Sequence, residues 1–239
     1  EEKEGYINLS FGNYSSIRAD AALSGPINDN TTGRLSFLHA TRDGYTKNIF
    51  PGAAGRGLDE LDTQDLTAVK AQLHFRPSDT IFIELMADSY KDSSNPPAQK
   101  YLMWPLPWME SSYAPVPFPD AVHPTDLRTL SQGFEFNIPG STRTIETAGE
   151  WNQNGLSAKL TLDLENGNTF FSHTSMRDID SMWLNDGDGI DVFMVNYFQR
   201  ENSEQFTQEI RLSSADNNDL NWIVGCFYIK EDSETFIGI

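Results

Sequence analysis

Residues 66–88 read LTAVKAQLHFR, PSDT and IFIELMAD in succession. In the first block Val69, Ala71, Leu73 and Phe75 fall on one side of an extended chain, and Lys70, Gln72, His74 and Arg76 fall on the other. In the last block Ile81, Ile83, Leu85 and Ala87 oppose Glu84 and Asp88. Side chains of a strand alternate between two faces, so this period of two predicts two strands joined by a tight Pro-Ser-Asp-Thr turn. Both strands are apolar on one face and charged on the other.

Working outward, the same signature recurs. Gly5–Phe11, Ile17–Ser24, Arg34–Arg42, Leu156–Leu164, Thr169–Asp178, Gln205–Ser214 and Leu220–Glu231 bring the count to nine predicted strands. Most are 8–12 residues long, near the roughly 9–11 that cross a bilayer when tilted. Strands of soluble proteins run to about 5–6. The turns Ser24–Gly33, Pro77–Thr80, Glu165–Asn168 and Ala215–Leu220 are short. The connections between them, near Asp43–Asp62, Asp92–Gln153 and Asp178–Ser203, are long. A transmembrane barrel sorts its loops this way, with short periplasmic turns and long extracellular loops. The tight turn near Asn13-Tyr14 breaks the rhythm, because a long loop is expected there.

Composition narrows the classes. No run of 18 apolar residues occurs, so no helix can span a membrane, whereas a barrel strand needs only alternation. A net charge of −18 argues against binding nucleic-acid phosphates. The single cysteine, Cys226, has no disulfide partner and belongs to no CxxC or Cys/His zinc cluster. No signal peptide is read at the start, both termini have the look of cuts through a larger sheet, and nine strands leave a barrel open. The expectation is a partial barrel.

Charges recur on the polar face of strand after strand. Arg18, Lys70, Arg76, Glu84, Lys159, Glu209 and Arg211 are expected to face a wide, wet lumen or a plug within it, since a dry interior could not hold so many. Tyr6, Phe11, Tyr45, Phe50, Tyr90, Trp222 and Tyr228 lie near strand ends, where membrane barrels carry aromatic girdles. The longest connection interleaves Tyr101, Trp104, Trp108, Tyr113 and Phe118 with seven prolines, giving rigid contact area suited to a flat or ring-shaped ligand, the competing reading being a loop that packs its own aromatics over the barrel mouth. Asp186, Asp188 and Asp191 resemble a fragment of a calcium loop, but Leu184 and Val195 stand where ligands belong, and an acidic turn at a loop tip is the favoured reading. His39 and His173 are expected on apolar faces, His74 on a polar one, and His123 stands apart. No Ser/His or Asp/His constellation assembles, so no catalytic residue is assigned and an outer-membrane phospholipase or protease has little footing.

The wording of several segments resembles the TonB-dependent outer-membrane receptors. These are Gly25-Pro26-Ile27-Asn28-Asp29, Arg34-Leu35-Ser36, Arg42-Asp43-Gly44-Tyr45 with Asn48, Leu73 with Arg76-Pro77-Ser78, Gln208–Ser214, and Leu220–Gly225 with Phe227-Tyr228. The resemblance covers nearly the whole chain in order. It implies an all-β, antiparallel up-and-down transmembrane barrel, of which residues 1–239 supply about nine of an expected 22 strands. It further implies a plug domain and TonB as partners, outer-membrane lipid as surroundings, and uptake of a scarce ligand such as a ferric siderophore into a Gram-negative cell. Plug and TonB box have no counterpart in these residues. No cofactor is implied. The competing readings are a passive porin and a soluble all-β carbohydrate-binding module.

Overall fold

The computed structural model describes residues 2–49, 58–98, 129–130, 149–186, 196–215 and 220–238. Its elements are β1 (Glu4–Gly12), β2 (Ser16–Asn28), β3 (Thr31–Arg42), β4 (Thr46–Asn48), β5 (Glu60–Leu61), β6 (Gln64–Ser78), β7 (Ile81–Asp92), β8 (Thr129–Leu130), β9 (Gly149–Asp163), β10 (Thr169–Asp186), β11 (Asn196–Ser213) and β12 (Ile223–Gly238). Nine strands form one antiparallel sheet in the order β1-β2-β3-β6-β7-β9-β10-β11-β12, so each pairs with its neighbour along the chain. β4, β5 and β8 form a small separate sheet inside the long connections. The up-and-down architecture expected from alternation is present. The sheet does not close: β1 and β12 are its two edges.

The short turns follow from local chemistry. In the β6–β7 turn Pro77 can donate no backbone hydrogen bond, and the register slips between Phe75 and Ser78 as a bulge. β2 slips likewise between Pro26 and Asn28. Gly167 at φ 81° closes the β9–β10 turn, where Asn168 donates to the Asn166 side chain at 3.1 Å. At the opposite end Tyr14 and Ser15 hold φ of 60° and 52°, both left-handed, which is how a hairpin this tight closes without glycine. Asp43 supports it by donating its backbone N–H to the Tyr14 carbonyl at 2.8 Å.

The register sorts residues into two faces. One carries Ile7, Leu9 and Phe11 of β1, Leu35 and Phe37 of β3, Leu73 and Phe75 of β6, and their partners along the sheet. These side chains stay exposed, from 39% for Phe75 to 76% for Phe11. A water-soluble protein rarely leaves so continuous an apolar face bare. Among the described residues the buried large apolar side chains are Leu58, Leu61, Leu184 and Phe198, all at the long-loop end.

The apolar residues form a belt whose upper limit can be followed along the rows of paired residues. One row runs Ser10, Arg18, Ala40, Leu66, Asp92, Trp151, Ser181, Glu201, Thr235. On β1 the belt ends at Phe11, one position beyond this row. On β3 and β6 it ends at Phe37 and Val69, on β7 and β9 at Ala87 and Leu156, on β10 and β11 at Met176 and Phe206, and on β12 at Tyr228, level with Thr174. The boundary therefore slips by about one residue per strand. With roughly 3.3 Å per residue and about 4.8 Å between strands, that slip corresponds to a strand tilt of about 35°. Barrel strands tilt by about 35–45°.

Above the belt the strands continue farther than alternation predicts. β10 and β11 are each 18 residues long, β12 is 16 and β9 is 15. The expected loops 92–153 and 178–203 shrink accordingly to 93–148 and 187–195, and the connection 43–63 contains β4 and β5. The reason is plain in the residues. Asn154, Asp178, Glu204 and Asp232 continue the apolar-face positions in polar form, so both faces become hydrophilic and the period-two signal disappears.

Candidate functional site

All seven charged residues expected on one face lie there. Arg18 sits 3.6 Å from Asp20, Glu84 bridges His74 at 3.5 Å and Lys159 at 3.8 Å, and Arg211 lies 3.1 Å from Glu209. Lys70 faces Asp88 across β6 and β7. Arg76 and Arg211 lie over the rings of Phe82 at 5.3 Å and Phe171 at 4.4 Å. These groups are roughly a third to a half exposed, so their pairs add little stability and mark a wet surface.

His173 departs from expectation. It lies on the charged face between Lys159 and Glu209, because the run Phe170-Phe171-Ser172-His173 carries aromatics on both faces and hides its phase. His39 does lie on the apolar face, just above the belt, hydrogen bonded to Thr67 Oγ1 at 2.9 Å. The aromatic girdle is only partly found. Phe11 and Tyr228 sit at the belt's upper limit, but Tyr6 and Tyr90 occupy the charged face in register with Ala22 and Ala68.

The notable concavity is at the long-loop end. On the charged face Asp92 of β7, Trp151 of β9, Ser181 of β10 and Glu201 of β11 share one row. Trp183 and Gln199 stand two positions higher, opposite Gly149. With Ser94, Asn95, Pro96 and Pro97 these residues line an open cavity of about 430 Å³. Trp151 and Trp183 present their rings at 41% and 42% exposure. Asp92 is oriented by Tyr90 Oη at 2.9 Å and by the Ser94 N–H at 2.9 Å. Gly149 is required by close approach: a Cβ there would stand 2.8 Å from the Ser94 carbonyl oxygen. Gly149→Ala is therefore expected to push segment 93–97 off the rim, lowering the thermal midpoint slightly and opening that segment to protease.

Asp62 ties the neighbouring connections together. It holds φ 62°, accepts from Thr46 Oγ1 at 2.7 Å and from the Ala98 N–H at 3.3 Å, and donates its own N–H to the Pro96 carbonyl at 3.1 Å. Arg42 donates to the Asp62 carbonyl at 2.8 Å and lies 5.3 Å from the Tyr45 ring centroid. The Asp62 charge, then burial, pushes the Tyr45 phenol above its ordinary value.

The other expected site residues fall elsewhere. Tyr101, Trp104, Trp108, Tyr113 and Phe118 lie outside the described residues, as do Asp188, Asp191, Phe50 and His123. Asp186 ends β10 opposite Asn196. Among the described residues no group of three acidic, His or Cys side chains is placed to hold a metal. Trp151, Trp183, Asp92 and Glu201 are not legible as a site in sequence, since only sheet register brings them together.

No protein-family profile matches the chain, and no curated protein matches its sequence significantly. Solved structures do. The ferric yersiniabactin uptake receptor FyuA of Yersinia pestis superposes on 99% of the chain with TM-score 0.64 at 16% identity. Pseudomonas aeruginosa FpvA, bound to heterologous pyoverdines, superposes on 98% with TM-score 0.60 at 13% identity. A chain in the FpvAI–pyocin S2 complex matches 99% with TM-score 0.61 at 11% identity. The present chain spans about a third or less of each, 32% and 28% of FyuA and FpvA respectively. The fold is thus the β-barrel fold of siderophore receptors, in an unclosed nine-stranded portion.

Proposed function

We propose that the chain is part of the barrel of a TonB-dependent receptor in the outer membrane of a Gram-negative bacterium, and that the receptor takes up an iron chelate. The observation that carries the membrane reading is the exposed apolar belt that slips one residue per strand. It supplies the tilted lipid-facing band of a barrel, while the charged face supplies a wet lumen. Likeness to FyuA and FpvA favours a gated receptor over a passive porin. In this reading the short turns are periplasmic and the connections 43–63, 93–148 and 187–195 are extracellular. Arg18, Lys70, Arg76, Glu84, Lys159, Glu209 and Arg211 face the lumen and the plug supplied by the rest of the protein.

The Trp151–Trp183 cavity is then the outward mouth. Tyr101, Trp104, Trp108, Tyr113 and Phe118 belong to the connection that leaves this rim after Asp92 and returns at Gly149, so they are tethered to it at both ends and are assigned to ligand contact. The chain performs no covalent chemistry in this scheme. Binding happens at the mouth, and energy reaches the receptor through TonB and the plug.

The test is uptake of radiolabelled iron chelates by cells carrying the full receptor, with and without TonB. Accumulation should fall to background without TonB while surface binding persists. Uptake indifferent to TonB would leave a porin in its place.

A further inference from the structure

The charge of the mouth defines a class of ligand. Two carboxylates, Asp92 and Glu201, line the cavity from its own face of the sheet, Glu150 borders it from the opposite face, and no Lys or Arg lines it among the described residues. Nearby cations are engaged elsewhere. Arg42 is held at the Asp62 carbonyl, Arg177 lies 3.5 Å from Asp88 two levels deeper, and Arg200 pairs with Asp180 at 3.8 Å on the opposite face. Asp92 takes its hydrogen bonds from Tyr90 and Ser94, both neutral donors. Among the described residues, the negative charge of this part of the rim is therefore uncompensated.

We propose that this mouth selects a ligand whose entering end is a positively charged planar group, and that it rejects anionic chelates. Trp151 and Trp183 are 41% and 42% exposed, an indole face attracts a cation, and the carboxylates of the same row add attraction. Like-charge approach by an anion is penalised by the same groups, both at contact and during encounter. Asp92 is the immediate row neighbour of Trp151 and Glu201 stands two strands away beyond Ser181, so a planar group over the indole has one carboxylate beside it and a second farther along the same row.

This inference rests on the receptor reading, which places the cavity at the outer mouth. It is tested by fluorescence titration of the full receptor in detergent with methyl viologen, a planar dication that quenches indoles. The comparison is 2,6-naphthalenedisulfonate, a planar dianion of similar size. Saturable quenching by viologen is expected, with affinity reduced tenfold or more by Asp92→Asn combined with Glu201→Gln. These substitutions keep size and leave folding intact, which heat-modifiable gel migration checks. Trp151→Phe combined with Trp183→Phe should remove most of the quenching. Equal or tighter binding of the dianion, or unchanged viologen affinity in the carboxylate variant, overturns the proposal. The TonB uptake assay separates the two readings. Cation-selective binding with TonB-independent uptake would remove the transporter reading, and TonB-dependent uptake of an anionic chelate alone would remove this one.

Discussion

Arginine in place of Leu85 is expected to abolish assembly of the receptor in the outer membrane. Leu85 lies mid-belt on the apolar face, with Leu73 and Ala158 as its register partners, and is 46% exposed. In lipid an arginine at that depth costs about 2–4 kcal/mol. That is a large fraction of the margin by which proteins hold together, and the charge has no partner on this face at that height. On a water-exposed sheet the same substitution would be nearly neutral. The control is the next residue along: Met86 faces the charged side in register with Gln72 and Ser157, so Met86→Lys should assemble normally. Outer-membrane abundance and heat-modifiable gel migration read both variants. Equal tolerance of the two would show that the apolar face does not meet lipid.

The second large effect is expected at Gly155. Asp88 on β7 and Arg177 on β10 are separated by the intervening β9, yet they come within 3.5 Å by passing over Gly155. A Cβ at this buried position would stand 2.6 Å from Asp88 Oδ1 and 3.0 Å from Arg177 Nη2. Gly155→Leu must therefore break the ion pair and press on both neighbouring strands, a destabilisation of about 1–3 kcal/mol by overpacking. Removing the pair alone, with Asp88→Asn, should cost less, since Arg177 is 36% exposed and such bridges are weak. Urea midpoints of the refolded receptor separate the cases. In an Asp88→Ala background the glycine substitution should lose much of its effect. Full additivity of the two would place the cost in the β9 backbone rather than in the crossing pair.

Sequence reasoning reached the fold through the belt, and the belt is also where it stopped. Within it Leu73, Phe75, Ile83, Leu85, Leu160 and Leu162 must be apolar and their neighbours polar, so alternation is strict. Past it Asp180, Asn202 and Glu234 occupy the same face where water replaces the apolar surroundings. Nothing then distinguishes strand from loop, and β9 to β12 read too short. The mouth lies in that silent zone. Trp183 falls inside a predicted loop and Asp92 and Trp151 at the margins of another, so their convergence depends on pairing across β7, β9 and β10. The charged face was legible because its residues share the belt's phase. His173 escaped because Phe170 and Phe171 blur that phase.

The uneven heights of the strands carry one more consequence. Measured from the last belt residue, β1 turns back one residue beyond Phe11, whereas β10 continues ten beyond Met176. The β3, β6 and β7 ends lie in between, five residues past Phe37, Val69 and Ala87. At roughly 3.3 Å per residue, the described wall climbs from nearly flush with the apolar belt at one side to about 25 Å above it at the other, once tilt is allowed for. Trp151, Trp183, Asp92 and Glu201 all stand five to seven residues up this slope. In the proposed receptor, a diffusing solute would meet an inclined wall with the proposed contact residues partway up and its lowest step beside β1. Capture and membrane crossing would then be events separated in space, and a mutation could slow one while leaving the other untouched.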